Sequence, residues 1–318
     1  GRDASSPASV GERSRSAFEL RDGELHAEGV PLASIAERYG TPCYVYSRAA
    51  LEGAWRSLDA ALAGVRHLLC YAMKANANLA VLDVFARLGS GFDIVSGGEL
   101  ARVLAAGGDP GRTVFSGVGK SAAEMRQALD AGILCFNVES AAELERLDAV
   151  AREGGRVAPV SFRVNPDVDP KTHPYISTGL KESKFGIAYG DALTLYRRAR
   201  AMRGIAIRGI DIHIGSQIPD LAPYRDAARK VLDLVDRLAG EGMRLDHVDL
   251  GGGLGIRYRD ETPLPVAEYA AMLRGLFAGR AEKLVLEPGR WLVADAGVLL
   301  TRVEYLKPGP AKHFAIID

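Results

Sequence analysis

The sequence is poor in the residues that build disulfide frameworks and metal sites. Its 318 residues include three cysteines, Cys43, Cys70 and Cys135, each in a strand-like apolar stretch and far from the others. This spacing argues against a disulfide framework and a cysteine-rich zinc site. The six histidines show no His-x-x-x-His spacing, so we expect no metal site. Buried, reduced thiols in a cytoplasmic protein are the expected interpretation.

Long apolar runs and an excess of either charge are also missing. No stretch is long enough to span a bilayer, and the first 16 residues contain no apolar core of a secretory signal. Lys plus Arg and Asp plus Glu number 40 each, which gives no reason to expect nucleic acid or an anionic membrane as a partner. With 47% apolar residues, the chain can bury a large core.

What the sequence does have is a regular alternation of short apolar runs and amphipathic runs. Eight runs are predicted to be strands: His67–Tyr71, Gly91–Val95, Thr113–Ser116, Ile133–Asn137, Ala158–Val164, Ile207–Ile214, His247–Leu250 and Lys283–Glu287. Helices are predicted near 79–88, 97–106, 121–131, 140–153, 191–203, 221–240 and 265–279. This order fits an α/β fold of the (β/α)8 or TIM-barrel type. An open doubly wound sheet is the alternative, because a strand count alone cannot close a sheet.

Two flanks do not fit the barrel. Residues 18–46 are predicted to form short strands with a helix near 31–39, and residues 297–318 are again rich in strand-forming residues. The sequence stops inside an apolar strand, so we expect a second β-rich domain, built from both chain ends, to continue beyond Asp318. The expected domains are a disordered lead (1–17), an N-terminal part of the β domain (18–46), the barrel (47–296) and the truncated start of the C-terminal β domain (297–318).

Lys74 follows the first predicted barrel strand, in the segment Tyr71–Asn76. Reactive groups of such barrels lie at the C-terminal ends of the strands. An amine placed there, and partly desolvated, loses its proton more readily and becomes a nucleophile for carbonyl chemistry. Considered alone, Lys74 is more simply a solvated lysine at a strand end. The polar residues at the other strand ends favour the chemical interpretation of Lys74 instead.

The glycine run Gly251–Gly253 follows the seventh predicted strand. Successive glycines let the backbone approach a ligand and direct N–H groups at an anion. The run does not match G-x-G-x-x-G, because Ile256 stands where the last glycine is required, so a single phosphate is favoured over a dinucleotide. A turn needed only for chain reversal explains the glycines about equally well when they are considered alone.

Three further strand-end residues each allow a structural and a chemical interpretation. Glu287 either caps a turn or pairs with Arg290, or it faces a pyridine nitrogen and keeps that nitrogen protonated. His213 is either a core histidine or a flat ring that stacks on a flat cofactor. Asp93 is either a buried turn residue or the group that orients His213 or a neighbouring cation. An amine, a phosphate nest and a carboxylate together are what pyridoxal 5′-phosphate needs.

Taken together, these motifs make the sequence resemble the fold-type III pyridoxal-phosphate decarboxylases, and the resemblance covers roughly Phe18 to Asp318. The matching segments are Tyr71–Asn76, Phe92–Leu100, His213–Ser216, Gly251–Gly253 and Glu287–Arg290. Within these enzymes the sequence is most similar to the bacterial diaminopimelate decarboxylases, through Phe162–Pro166, His173–Gly179 and Lys184–Gly186. Ornithine and arginine decarboxylases share the lysine and glycine motifs but resemble this middle stretch much less.

The resemblance implies a role for each matching residue. Lys74 would be the catalytic lysine that carries the cofactor as a Schiff base, and His213 would stack on the cofactor ring. The other implied cofactor-binding residues are Asp93, Ser216, Gly251, Gly252, Gly253 and Gly289 (the last five around the phosphate), Glu287 at the pyridine nitrogen, and Arg290. Arg290 would also touch a substrate carboxylate, a task that suits its bidentate fork.

The resemblance also implies an activity and an assembly. The expected reaction is the decarboxylation of meso-2,6-diaminopimelate to L-lysine and CO2, the last step of bacterial lysine biosynthesis, in an alanine-racemase-like barrel. The expected assembly is a homodimer with shared active sites. The family's Cys-Glu-Ser motif and late tyrosine do not occur before Asp318, so we expect a chain of this length to bind the cofactor with little turnover.

Three alternatives stay open at this level. One is a related decarboxylase acting on ornithine, arginine or carboxynorspermidine. Another is a non-catalytic barrel that binds the cofactor, although Lys74 and the Glu287–Arg290 motif are both kept. The third is an alanine-racemase-type enzyme, against which Glu287 argues, since racemases of this fold are expected to pair the ring nitrogen with a cation.

Overall fold

The computed structural model describes residues 17–169 and 184–318. Most of the expected lead, and the family segment His173–Gly179, lie outside the described residues. The described strands are β1 (Phe18–Arg21), β2 (Glu24–Ala27), β3 (Val30–Pro31), β4 (Cys43–Tyr46), β5 (His67–Ala72), β6 (Gly91–Ile94), β7 (Thr113–Phe115), β8 (Cys135–Val138), β9 (Ala158–Asn165), β10 (Ile187–Ala188), β11 (Ile205–Asp211), β12 (His247–Asp249), β13 (Lys283–Leu286), β14 (Gly297–Leu300), β15 (Val303–Lys307) and β16 (Phe314–Ile317).

The helices alternate with the central strands. They are α1 (Leu32–Tyr39), α2 (Arg48–Ala61), α3 (Leu79–Arg87), α4 (Gly97–Ala105), α5 (Ala122–Ala131), α6 (Ala141–Glu153), α7 (Tyr189–Arg200), α8 (Leu221–Gly240), α9 (Val266–Phe277) and α10 (Arg290–Val293). Short 3-10 turns cover Met73–Ala75, Pro110–Arg112 and Ala294–Ala296. No described helix is both long and apolar enough to cross a membrane.

Eight parallel strands form a closed barrel. The pairing order runs β9, β11, β12, β13, β5, β6, β7, β8, and β8 then pairs with β9 to close the ring. The short strand β10 pairs with the end of β9 outside this ring. The TIM-barrel prediction is confirmed, and the open doubly wound alternative is wrong because the two ends of the sheet meet.

The predicted strands and helices of the barrel all form, with ends that differ by at most three residues. The sequence analysis assigned no element to α2, which precedes the first barrel strand. Its N-cap Ser47 accepts a hydrogen bond from the amide of Ala50, and Leu51, Leu58 and Ala61 are buried. A cap and an apolar face at helical spacing were therefore both present in the sequence.

Serine caps begin two of the barrel helices. Ser121 and Glu124 form a reciprocal capping box at the start of α5. At the start of α6, Ser140 accepts a hydrogen bond from the amide of Glu143. The Glu143 carboxylate instead accepts from the Lys120 amine at 2.7 Å, so a tertiary contact replaces the second half of a capping box there.

The two flanks pair with each other. Strand β14 runs antiparallel to β4, with Gly297 opposite Tyr46 and Leu300 opposite Cys43. Strands β1, β2 and β3 form a small antiparallel sheet, and β15 pairs with β16. The predicted combination of a barrel with β-rich structure from both chain ends is confirmed.

The barrel interior contains a compact apolar cluster: Leu68, Cys70, Val114, Cys135 and Val285. A larger core fills the space between the strands and the surrounding helices. All three cysteines are free, as expected, but only Cys70 and Cys135 are buried. Cys43 is partly exposed because it lies in β4, a strand of the two-stranded flank sheet.

Candidate functional site

The carboxyl ends of the barrel strands bring the predicted site residues together. The amide of Ala72, just before Lys74, donates to the carbonyl of Pro288 at 3.0 Å, which joins the ends of β5 and β13. The amide of Glu287 donates to the carbonyl of Gly251 at 2.7 Å, which joins the ends of β13 and β12. Residues far apart in sequence therefore meet at one mouth, where parallel barrels place their chemistry.

Lys74 lies in the 3-10 turn that follows β5, and its side chain is 58% exposed. More than half of the side chain is therefore open to the mouth, and the rest is shielded by its neighbours. The amine is 3.9 Å from Oδ2 of Asp93, whose side chain is 1% exposed. Burial raises the pKa of Asp93, while the charge of Lys74 and a hydrogen bond from Ser116 oppose that shift. Lys74 is therefore the neighbouring cation that was expected beside Asp93.

His213 follows β11 and faces the glycine loop. Its Nδ1 accepts a hydrogen bond from the amide of Gly252 at 3.3 Å, which leaves the ring proton on Nε2. Burial lowers the pKa of His213 well below its usual value, and the charges of Arg163 and Lys74 lower it further. The ring is thus neutral, flat and held from one edge.

The glycine loop needs glycine at three successive positions. Gly251 and Gly253 have φ values of +70° and +97°, which side chains strain to adopt. A Cβ at Gly251 would lie 2.5 Å from the carbonyl oxygen of Ile212, and one at Gly252 would lie 2.4 Å from that of Glu287. The loop therefore packs directly against the ends of the two neighbouring strands.

Glu287 is part of a buried acidic cluster with Asp211 and Asp249. One oxygen from each carboxylate lies within 4.8 Å of the others. Burial raises the pKa of all three, and the charge of Asp249 raises that of Glu287 further. The side-chain amide of Asn137 donates to Oε1 of Glu287 at 3.4 Å. Burial and mutual repulsion therefore both favour the protonated forms of these acids.

The sequence analysis selected Glu287 from this cluster and missed the roles of Asp249 and Asp211. The two aspartates are opposite each other in the register of β11 and β12. An acidic residue near the end of each of two apolar strands was the available signal. Only the pairing of those strands shows that the two side chains share a site.

A second buried group of charges lies at the ends of β8 and β9. Arg163 donates to Glu139 at 2.9 Å. Lys120, whose side chain is fully buried, donates to Glu143 at 2.7 Å and to the carbonyls of Gly117 and Asn137. Each charge here has a partner, as burial requires. The Arg163 charge also opposes the rise in the pKa of Asp211.

The remaining predicted residues lie around the same mouth. Ser216 is half-buried in the loop after His213, and Arg290 begins α10, 5.8 Å from the ring of Tyr258. A Cβ at Gly289 would lie 3.1 Å from that of Ala72, so Gly289 packs closely beside the turn of Lys74.

These residues fit pyridoxal 5′-phosphate. Within the described chain, the buried oxygens Asp93 Oδ1, Asp211 Oδ1 and Asp249 Oδ2 have no hydrogen-bond partner. Orphaned acceptors of this kind are uncommon in folded proteins and call for an explanation such as an unseen ligand or proton. An exposed amine, a neutral aromatic ring, a glycine cradle and acids with raised pKa values match the parts of this cofactor.

We expect Asp211→Asn to stabilise the cofactor-free protein, most strongly at alkaline pH. Burial, the charge of Glu287 and, more weakly, those of Glu139 and Asp93 raise the pKa of Asp211, whereas Arg163 lowers it. An acid with a raised pKa in the folded state costs stability as pH rises from the ordinary carboxyl range through that raised pKa. Thermal midpoints near the ordinary carboxyl pKa, at about pH 4, and at about pH 9 should therefore differ less in the variant than in the wild type. An equal pH dependence in both proteins would contradict the raised pKa.

Comparison with known proteins gives a consistent result. Residues 48–294 match the family model described as pyridoxal-dependent decarboxylase, pyridoxal binding domain. The diaminopimelate decarboxylase of Pseudomonas aeruginosa is 61% identical over 301 residues, covering 95% of this chain and 72% of that protein. The diaminopimelate decarboxylase of Pseudomonas fluorescens is 59% identical over 303 residues, covering 95% and 73%. A crystal structure of diaminopimelate decarboxylase from Helicobacter pylori complexed with L-lysine has a TM-score of 0.87 at 41% identity, covering 90% of this chain and 72% of that one.

Proposed function

The chain belongs to the pyridoxal-dependent decarboxylases, and from that premise we propose that it decarboxylates meso-2,6-diaminopimelate to L-lysine and CO2, the last step of bacterial lysine biosynthesis. The observation that carries this proposal is the convergence of Lys74, the glycine loop and Glu287 at one barrel mouth. The identity of 61% to a diaminopimelate decarboxylase supports the choice of substrate. Pyridoxal 5′-phosphate is the cofactor.

Bound pyridoxal 5′-phosphate supplies the electron sink for the pair left behind when CO2 departs. Lys74 is the residue whose amine would hold the cofactor covalently. The Asp93 carboxylate, 3.9 Å from that amine, keeps it oriented toward the mouth. His213, neutral and fixed at Nδ1 by Gly252, would present its ring face to the cofactor.

Glu287, with Asp249 beside it, is the acid of the site. Burial raises the pKa of both groups, and the charge of Asp249 raises that of Glu287 further. Glu287 would face the pyridine nitrogen of the cofactor. A cation at that position would favour the charged form of Glu287. Its carboxylate would in turn keep that nitrogen protonated, the state on which the electron sink depends.

Arg290 would hold a carboxylate of the substrate. Its planar guanidinium can donate two parallel hydrogen bonds to one carboxylate. The carbon of that guanidinium lies 5.8 Å from the centre of the Tyr258 ring, a distance that allows a cation–π contact. Fixing one end of a dicarboxylic substrate leaves the other end to react, and positioning of this kind lowers the barrier.

The first test of the cofactor site is chemical trapping. Incubation with pyridoxal 5′-phosphate, reduction with borohydride and proteolysis are expected to give a pyridoxyl group on Lys74, detected by mass spectrometry. The exposed amine next to Asp93 supports this outcome. Labelling of other lysines with Lys74 unmodified would contradict the assignment.

The test of substrate uses the same protein with its cofactor. Released CO2 and the amine product are measured with meso-2,6-diaminopimelate, ornithine, arginine and carboxynorspermidine. We expect turnover with diaminopimelate to exceed that with each competitor, with L-lysine as product. Preference for ornithine or arginine would make the chain a different member of the family, and trapping at Lys74 without turnover of any of them would favour a non-catalytic binding role.

Assembly, location and domain division belong to the same proposal. We infer a homodimer with shared sites, supported by exposed apolar side chains on the flanking strands: Tyr44, Leu299, Tyr305, Leu306, Phe314 and Ile317. Light scattering at several concentrations tests the dimer.

We also infer a cytoplasmic location, which the free thiols of Cys70 and Cys135 support. The proposed domain division into 18–46, 47–296 and 297–318 follows the barrel and its paired flanks.

A further inference from the structure

Gln217 has an unusual backbone and a specific pair of contacts. It lies in the loop after β11, next to Ser216, and its φ of +53° falls in the left-handed region. Its Nε2 donates to the carbonyl of Ile256 at 2.9 Å, and its Oε1 accepts from the amide of the same residue at 2.7 Å. The side-chain amide of Gln217 therefore binds the backbone of Ile256 twice, once as a donor and once as an acceptor.

These contacts tie two loops of the site together. Ile256 lies just beyond the glycine loop, whereas Gln217 belongs to the loop that starts at His213. The amide of Ile218 also donates to the carbonyl of Gly253 at 3.0 Å, and Ile218 forms a bridge with Leu254. The loop after β11 and the loop after β12 are thus paired along several consecutive residues.

All three carbonyls of the glycine loop accept a hydrogen bond from a neighbouring element. That of Gly251 accepts from the amide of Glu287 at 2.7 Å, and that of Gly253 from Ile218. The carbonyl of Gly252 accepts from the buried hydroxyl of Tyr224 at 3.1 Å. Because a trans peptide is planar, each following N–H points the opposite way. The amides of Gly253 and Leu254 therefore point away from Tyr224 and Ile218 in fixed directions, and successive N–H groups of fixed direction are what an anion nest needs.

The conformation of Gln217 has a cost that its contacts offset. A non-glycine residue in the left-handed region is strained, because its Cβ crowds the backbone. Glycine would remove that cost but also the paired hydrogen bonds to Ile256. A long polar side chain at this strained position indicates that its two hydrogen bonds to Ile256 offset the strain.

We propose that Gln217 is a positioning residue that locks the glycine loop to the Ser216 loop and thereby sets the preference for the phosphorylated cofactor over pyridoxal. This inference rests on the proposed function, since it concerns how the same site holds the phosphate. Gln217 acts through the loop, by its two hydrogen bonds to the backbone of Ile256. Its removal should therefore weaken only the part of binding that depends on the phosphate.

The test measures binding of pyridoxal 5′-phosphate and of pyridoxal, by absorbance titration, to the wild type, Gln217→Ala and Gln217→Gly. We expect both variants to bind the phosphorylated form about tenfold more weakly, the effect of losing two hydrogen bonds of ordinary strength. Affinity for pyridoxal should stay within about twofold of the wild type. Gln127→Ala is the matched control, because Gln127 also bonds a backbone carbonyl, that of Gly97, outside the phosphate nest.

Two measurements separate this role from a merely structural one. Gln217→Gly relieves the left-handed strain, so its cofactor-free thermal midpoint should exceed that of Gln217→Ala even though both lose the phosphate preference. Equal weakening of both ligands, or unchanged affinity for the phosphorylated form, would overturn the proposal. A wild type that forms no adduct at Lys74 with either ligand would overturn the cofactor assignment itself, and the role of Gln217 with it.

Discussion

Lys74→Ala is expected to abolish covalent capture of pyridoxal 5′-phosphate and to lower kcat/KM for decarboxylation by about 10⁴-fold or more, the scale on which removal of a covalent nucleophile acts. Within the described residues, the buried cations at this end of the barrel cannot replace the lost amine. Lys120 donates to Glu143, and Arg163 donates to Glu139. Both are committed to carboxylates and neither is at the position of Lys74.

The loss at Lys74 should be chemical rather than structural. The side chain is 58% exposed, so its truncation leaves no cavity, and the thermal midpoint of the cofactor-free protein should change little. Lys307→Ala, at an exposed position in β15, is the matched control and should keep both the adduct and the activity. Borohydride trapping and turnover are measured on the same samples. Residual activity above one per cent would require another residue to carry the cofactor.

Glu287→Gln is expected to lower kcat by about 10²- to 10³-fold while the cofactor still attaches to Lys74, the range seen when one electrostatic partner of a transition state is removed. Glutamine has nearly the shape of glutamate but cannot carry the negative charge that stabilises a protonated ring nitrogen. The electron sink is therefore weakened, whereas the amine, the phosphate nest and the loop contacts stay in place.

Spectroscopy distinguishes this effect from simple loss of binding. The visible absorbance of the bound cofactor should shift in Glu287→Gln, because the ring nitrogen changes its protonation, while trapping at Lys74 stays near the wild-type level. Glu268→Gln, at an exposed position in α9, controls for the substitution itself. Asp249→Asn should reduce activity less than Glu287→Gln, since Asp249 acts through Glu287. A Glu287→Gln enzyme with wild-type kcat and spectrum would remove the carboxylate from the mechanism.

Much of the fold could be predicted from the sequence because its signals are local. Each barrel strand is a short apolar run and each helix has an amphipathic period, and these patterns need no knowledge of neighbours. The segments around Lys74, Gly251–Gly253 and Glu287 could be selected because they follow predicted strands, and parallel barrels collect reactive groups at strand ends. Helix α2 was missed although its cap and apolar face were equally local.

The sequence by itself thus determined the strand and helix order and the residue types at each strand end. Only the tertiary structure decided that the ring closes, that Asp93 faces Lys74, that Asp211 and Asp249 join Glu287, and that Gln217 pairs with Ile256. The physical reason is that these relations depend on which strands become neighbours and in what register. Pairing between distant segments sets burial, and burial sets the pKa values and hydrogen-bond partners that make separate polar residues one site.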